Sequence, residues 1–185
     1  MFTHYALRTA ALLDTRPSVL VTLMELPHTA GCLVCGRQNP HGLRLSLHVD
    51  EGSGVVSAEF TPRPEHIGFE GIVHGGVLAT VLDEAMVWAA TWARKRFCVA
   101  GEMTVRFRRS AAVGEPLRVE AKVESNRSRL IQSAGTVIDS NGAVVAEATG
   151  KYVPVPDERH RKVVATLVDE PSTAQAAARL KEGIR

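Results

Sequence analysis

His74-Gly75-Gly76-Val77-Leu78-Ala79-Thr80-Val81-Leu82-Asp83-Glu84-Ala85-Met86-Val87-Trp88-Ala89-Ala90-Thr91-Trp92-Ala93-Arg94 is the stretch whose reading decides the fold. Nothing in residues 75–94 breaks a helix, and the apolar side chains from Val77 to Trp92 cover nearly its whole circumference. A helix that is apolar all round is buried rather than laid on a surface. Arg94, Lys95 and Arg96 cluster at its end, where positive charge complements the helix macrodipole.

The flanks read as strands. Residues 43–49 alternate Leu43, Leu45, Leu47 and Val49 with Arg44, Ser46 and His48, and residues 54–60 follow across a turn-like Asp50-Glu51-Gly52-Ser53. Pro62 and Pro64 then open a loop that runs to Val73. Beyond the helix, residues 99–109, 117–124, 130–139 and 143–153 are rich in β-branched side chains, and Asn141-Gly142 signals a type I′ hairpin. Short helices are expected at 18–25, stopped by Pro27, and at 172–181. The order is two strands, one buried helix and four strands in meander. A helix without a polar face must be enclosed, so the expected class is α+β: a curved antiparallel sheet wrapped around one long central helix, the hotdog arrangement. Residues 31–155 form that domain, 1–30 an N-terminal extension and 156–185 a polar C-terminal tail with a short helix. Strand edges and a half-covered helix call for a partner copy, so a homodimer or a dimer of dimers is expected.

Composition narrows the function. The 185 residues carry 22 basic and 20 acidic side chains, a net charge of +2, with 45% hydrophobic residues. That balance argues against nucleic-acid binding, which depends on dense phosphate neutralisation. The short apolar run at 10–13 is interrupted by Asp14 and makes no signal-peptide core, and no stretch approaches the ~20 apolar residues of a membrane span. Three cysteines, Cys32, Cys35 and Cys98, suit a reducing compartment, and a cytoplasmic protein is expected. Cys32-x-x-Cys35 with His41 nearby offers three zinc-type ligands. A structural zinc site takes four ligands and usually a second paired cluster, which is absent, so no metal and no cofactor are expected.

The chemistry concentrates at the helix. Gly75 and Gly76 open it, and the first N–H groups of a helix lack internal partners and carry the positive end of the dipole. Glycines leave them open to a carbonyl or an oxyanion. Asp83 and Glu84 lie mid-helix, where a carboxylate finds a donor, pairs with an arginine across a subunit interface, or serves a ligand. Asp83 shares its face with Gly76, Ala79, Thr80 and Ala90, a strip of small residues that leaves room for a ligand or another backbone.

His74-Gly75-Gly76 followed by Asp83-Glu84-Ala85-Met86 resembles the hotdog thioesterases of the phenylacetate-pathway (PaaI-like) type. The lead-ins Cys32-Leu33-Val34-Cys35-Gly36 and Asn39-Pro40-His41-Gly42-Leu43, and Glu102 to Phe107 with Gly114-Glu115, resemble the same superfamily. The resemblance implies hydrolysis of acyl-CoA or similar thioesters. Asp83 would be general base or nucleophile, Gly75 N–H would polarise the carbonyl, and His74 would shape the site. Gly76, His66, Gly68, Glu84, Arg106 and Arg108 are the expected substrate-contacting positions. Arg106 and Arg108, with Arg109, Arg127 and Arg129, either meet CoA phosphates or form solvated strand faces. The chain departs from the family pattern at Gly68, where relatives carry an amide side chain, and at Ala100-Gly101, where many carry Ser or Thr. Two alternatives remain: a non-catalytic acyl-CoA-binding module, and an acyl-thioester hydratase or dehydratase using His66 with Glu84. The helix start and Asp83 are separated by ~13 Å along the axis at 1.5 Å per residue, so Asp83 of one subunit is expected to face Gly75 of its partner.

Overall fold

The computed structural model describes residues 23–183. Along them run β1 (Leu23–Glu25), β2 (His48–Asp50), β3 (Val56–Phe60), β4 (Ile67–Phe69), β5 (Ile72–Val73), α1 (Gly75–Arg94), β6 (Cys98–Phe107), β7 (Leu117–Arg127), β8 (Leu130–Asp139), β9 (Val144–Pro154), α2 (Asp157–Val164) and α3 (Ala174–Glu182). Seven strands form one antiparallel sheet in the order β1-β2-β3-β7-β8-β9-β6, and β4-β5 form a separate hairpin.

The central helix has the bounds read from the sequence. His74 caps its start, its Nδ1 accepting from Gly76 N–H at 2.9 Å, and Lys95 ends it in the left-handed region at φ 52°. Leu82, Ala85, Met86 and Ala90 are fully buried against the sheet. Each large side chain so removed from water stabilises the fold by about 1.5–3 kcal/mol. β8 comes close to the helix at Gly135, where a Cβ would lie 3.1 Å from Met86 and 3.3 Å from Leu82. The sheet curves around the helix because β6, β7 and the β8–β9 pair each carry a register shift, and a bulge bends its strand. Enclosure is incomplete on one face of α1: Gly76 is exposed, and Thr80, Asp83 and Val87 are half-buried.

The strand order corrects the expected four-strand meander. β7, β8 and β9 do meander, but β6 pairs with β9 at the sheet edge, and the chain then crosses to β7 beside β3. Alternation in sequence encodes which face a side chain takes, not which strand is its neighbour.

Smaller differences have local causes. Residues 43–47 keep their alternating burial, yet only β2 enters the ladder, because Arg44 takes a left-handed φ of 59°. The stretch from 62 to 73 is not a plain loop: it holds a 3-10 turn at Pro64–His66 and the β4–β5 hairpin. Glu70 (φ 49°) and Gly71 (φ 78°) give that hairpin the two positive φ values of a type I′ turn. At Asn141-Gly142 only Gly142 is left-handed. Asp139 Oδ1 accepts from both Asn141 N–H and Ala143 N–H at 2.9 Å and holds that turn.

The expected helix at 18–25 lies outside the described residues for 18–22, while Leu23–Glu25 is strand paired to β2. The second expected short helix is found as α3, but α2 was not foreseen. The segment after β9 is docked rather than a polar tail, with Ala176 and Leu180 fully buried. His160, also fully buried, ties it down: Nδ1 accepts from Phe97 N–H at 3.2 Å, so Nε2 donates to Leu180 O at 3.0 Å.

Candidate active site

Asp83 emerges from α1 on its incompletely covered face. Its Oδ1 accepts a hydrogen bond from the Tyr152 hydroxyl at 3.0 Å. Tyr152, on β9, is fully buried, and its ring lies over Gly150, where a Cβ would sit 2.7 Å from Tyr152 Cε2. Glycine at 150 is what allows the ring to lean along its strand and reach the helix. Burial, and then the negative charge of Asp83, push the Tyr152 hydroxyl well above its ordinary range, so it remains a donor. Sequence reasoning missed Tyr152. The one available signal was an aromatic hydroxyl on the strand face it shares with the small residues Ala146, Ala148 and Gly150.

At the helix start, His74 spends its Nδ1 on Gly76 N–H, and His74 O accepts from Val77 N–H at 2.9 Å. Gly75 N–H has no acceptor among the described residues. A Cβ on Gly75 would meet Phe107 at 3.2 Å, so the glycine lets that ring close over the helix start. A shallow cavity of about 350 Å³ opens there, bordered by Phe69, Gly75, Leu78, Phe107, Arg108 and Arg109. Asp83 is not among its lining residues. Gly75 and Asp83 lie eight residues apart on one helix, ~12 Å along the axis.

The other expected positions are dispersed. His66 is buried, packs on Phe60 with ring centroids 5.5 Å apart, and accepts from Arg63 N–H at 2.9 Å through Nδ1. Burial and then the Arg63 charge hold its pKa below the ordinary histidine value. His66 O accepts from His74 N–H at 2.9 Å, so His66 positions the helix cap through its backbone. Gly68 lies against His74, its missing Cβ only 3.2 Å from His74 Cα. Arg106 is exposed on β6, and Arg108 is ion-paired with Glu147. A larger cavity of about 800 Å³ at the far end of α1 gathers Arg94, Lys95, Arg96 and Arg129. Lys95 and Arg96 are already paired there with Glu182 and Asp157.

Glu84 points away from Asp83's face. Its Oε1 accepts from Trp88 Nε1 at 3.1 Å, and its carboxylate lies beside Cys32 and Cys35. Burial first, and then the charge of Cys32, push Glu84 up to about 7. A hydrogen bond from Cys35 pulls Cys32 down to about 5, and the same bond, together with burial, pushes Cys35 up. Glu84 and His66 each bond elsewhere, so within one chain they do not form the pair expected of a hydratase.

The sequence profile of the thioesterase superfamily matches residues 70–146, which run from the helix entry through β8 into β9. Residues 70–146 belong to the thioesterase superfamily. Among solved structures, the chain is similar to a protein described as a thioesterase superfamily member, with 28% identity and a TM-score of 0.62 over 66% of this chain. That match spans only 60% of the other protein. The Escherichia coli PaaI protein of the phenylacetic acid degradation operon shares the hotdog fold at 20% identity, with a TM-score of 0.57 over 62% of this chain and 81% of PaaI. A Streptococcus mutans protein solved with acetyl CoA shares it at 17% identity, with a TM-score of 0.53 over 56% of this chain and 82% of that one. No curated protein matches the chain. No helix among the described residues is long and apolar enough to cross a membrane.

Proposed function

We propose that this thioesterase-superfamily chain hydrolyses acyl-CoA or closely similar acyl thioesters to the free acid and the free thiol. The observation that carries the reading is Asp83: a carboxylate on the open face of a buried helix, one oxygen held by Tyr152 and the other left to act. Hydrolysis needs an activated water or a carboxylate nucleophile, and a donor aimed at the oxyanion that develops on the carbonyl. Asp83 supplies the first, either by taking a proton from water or by attacking the carbonyl carbon itself. Gly75 N–H, at the positive end of α1, supplies the second. The tetrahedral intermediate then collapses, the C–S bond breaks, and the thiolate leaves and is protonated. On the first route the proton is the one Asp83 took from water. On the second it comes from solvent, and water then hydrolyses the acyl-aspartyl anhydride to the free acid. His74 keeps the helix start in register.

Within one chain the acid and the donor are too far apart for one thioester carbon, so the reading places Asp83 of one subunit opposite Gly75 of its partner. Support for an assembly comes from the edge strand β6, which carries Val99 and Phe107 in the open, and from exposed Phe69 beside Gly75. The fold neighbour solved with acetyl CoA agrees with a CoA-type thiol. Arg106 and Arg108 would meet its phosphates, with Gly68 and Gly76 against His74 at the helix start. A cytoplasmic location suits such a substrate.

The test is thiol release from a panel of short, medium, long-chain and aryl CoA esters. Asp83→Asn should retain the wild-type circular dichroism spectrum and lose at least tenfold in turnover, since a general base contributes ~10²–10⁴. No thiol release from any ester would sink the hydrolase reading. Stoichiometric ester binding without turnover would make the chain a binding module.

A further inference from the structure

We propose that Cys32, Cys35 and Glu84 bind a divalent transition-metal ion, zinc first, through two sulfurs and one carboxylate oxygen, with water completing the coordination. This site is separate from the thioesterase reading and stands without it. The sequence offered the cysteine pair and His41 but no further ligand. The fold supplies the third ligand from the middle of α1, where the two sulfurs and the Glu84 carboxylate oxygen all lie within 4.8 Å of one another. Zinc takes sulfur at ~2.3 Å and oxygen at ~2.0–2.2 Å, so the three groups need contract by only about an ångström around an ion.

The loop that carries the sulfurs is built for thiolates. Val34 N–H donates to Cys32 Sγ at 3.3 Å, and Gly36 N–H donates to Cys32 O at 3.1 Å. A Cβ on Gly36 would fall 2.4 Å from Cys32 O and 2.5 Å from Cys32 N, so only glycine permits the fold-back that turns both sulfurs the same way. Leu43 N–H and Leu45 N–H hold the loop in place through Leu33 O and Val34 O, at 2.8 and 2.9 Å. Cys35 is buried, whereas Cys32 is half-exposed and leaves a side for water.

Charge points the same way. Among the described residues no lysine or arginine pairs with Glu84, whose hydrogen-bond donors are the neutral Trp88 indole and the Cys35 thiol. A carboxylate in an apolar surround without a cation is costly. A divalent ion turns that carboxylate and both thiols into ligands and clasps the 31–36 loop to α1. Thiolate ligands favour zinc over magnesium or calcium.

The experiment uses the full chain, purified under reducing conditions without chelator and without a metal-affinity step. Elemental analysis should find about one zinc per chain. Replacing zinc with cobalt(II) should give a near-ultraviolet thiolate-to-cobalt charge-transfer band and intense visible bands of tetrahedral cobalt. Cys32→Ser and Cys35→Ser should abolish the charge-transfer band or cut it by half. Glu84→Gln should keep it while weakening zinc at least ~10-fold, and His41→Ala should change nothing. Should the variants misfold, cobalt titration of the chelator-stripped wild type decides alone. A wild-type chain with both thiols free that takes up less than ~0.1 equivalent of zinc or cobalt overturns the proposal. So does a chain whose mass shows the loss of both thiol hydrogens, which would make the pair a disulfide.

Discussion

Replacing Tyr152 by Phe removes one hydroxyl and little else. The ring stays in its bed over Gly150, and the Asp83 carboxylate loses the donor now 3.0 Å from Oδ1. A hydrogen bond to a charged group contributes roughly 1.5–3 kcal/mol. If that whole interaction serves to aim the carboxylate, kcat/KM falls by roughly tenfold to 150-fold, at 1.36 kcal/mol per decade. A second signature separates positioning from mere packing. On an Asp83→Asn background the same change should alter residual activity by less than about twofold, because the coupling runs through that one bond. The assay is thiol release across pH 5–9 for wild type, both single variants and the double variant. A Tyr152→Phe chain within about twofold of wild type would refute the positioning role and weaken the assignment of Asp83 with it.

Three further outcomes are expected. Light scattering should give a dimer or a dimer of dimers of the 20.0 kDa chain, and mixing Asp83→Asn with a Gly75→Ala variant should restore activity in re-equilibrated heterodimers; no recovery despite proven heterodimers would place acid and donor in one chain. His66 is held neutral, with its folded pKa below its unfolded value of about 6.5, so the stability it contributes is present above that value and is lost as pH falls through it. Thermal melts from pH 8 to 5 should show this loss, and His66→Gln should flatten the slope; an unchanged slope would count against it.

The sequence by itself determined the elements whose signal is local. The largely apolar run from Val77 to Trp92 set the length and burial of α1, and the hairpin-linked alternation of residues 117–154 set β7, β8 and β9, because 3.6-residue and two-residue periods are properties of neighbouring side chains. It also placed Gly75 and Asp83 on one helix. What it left open depended on partners far along the chain. Only the tertiary structure put β6 against β9, since alternation fixes a face and not a neighbour. Only packing leaned Tyr152 across Gly150 onto Asp83, and only packing carried Glu84 to the Cys32 and Cys35 sulfurs. Those meetings arise from the curvature of the sheet around α1 and from the docking of the 31–36 loop. Both are set by the summed burial of the core, which no window of sequence contains.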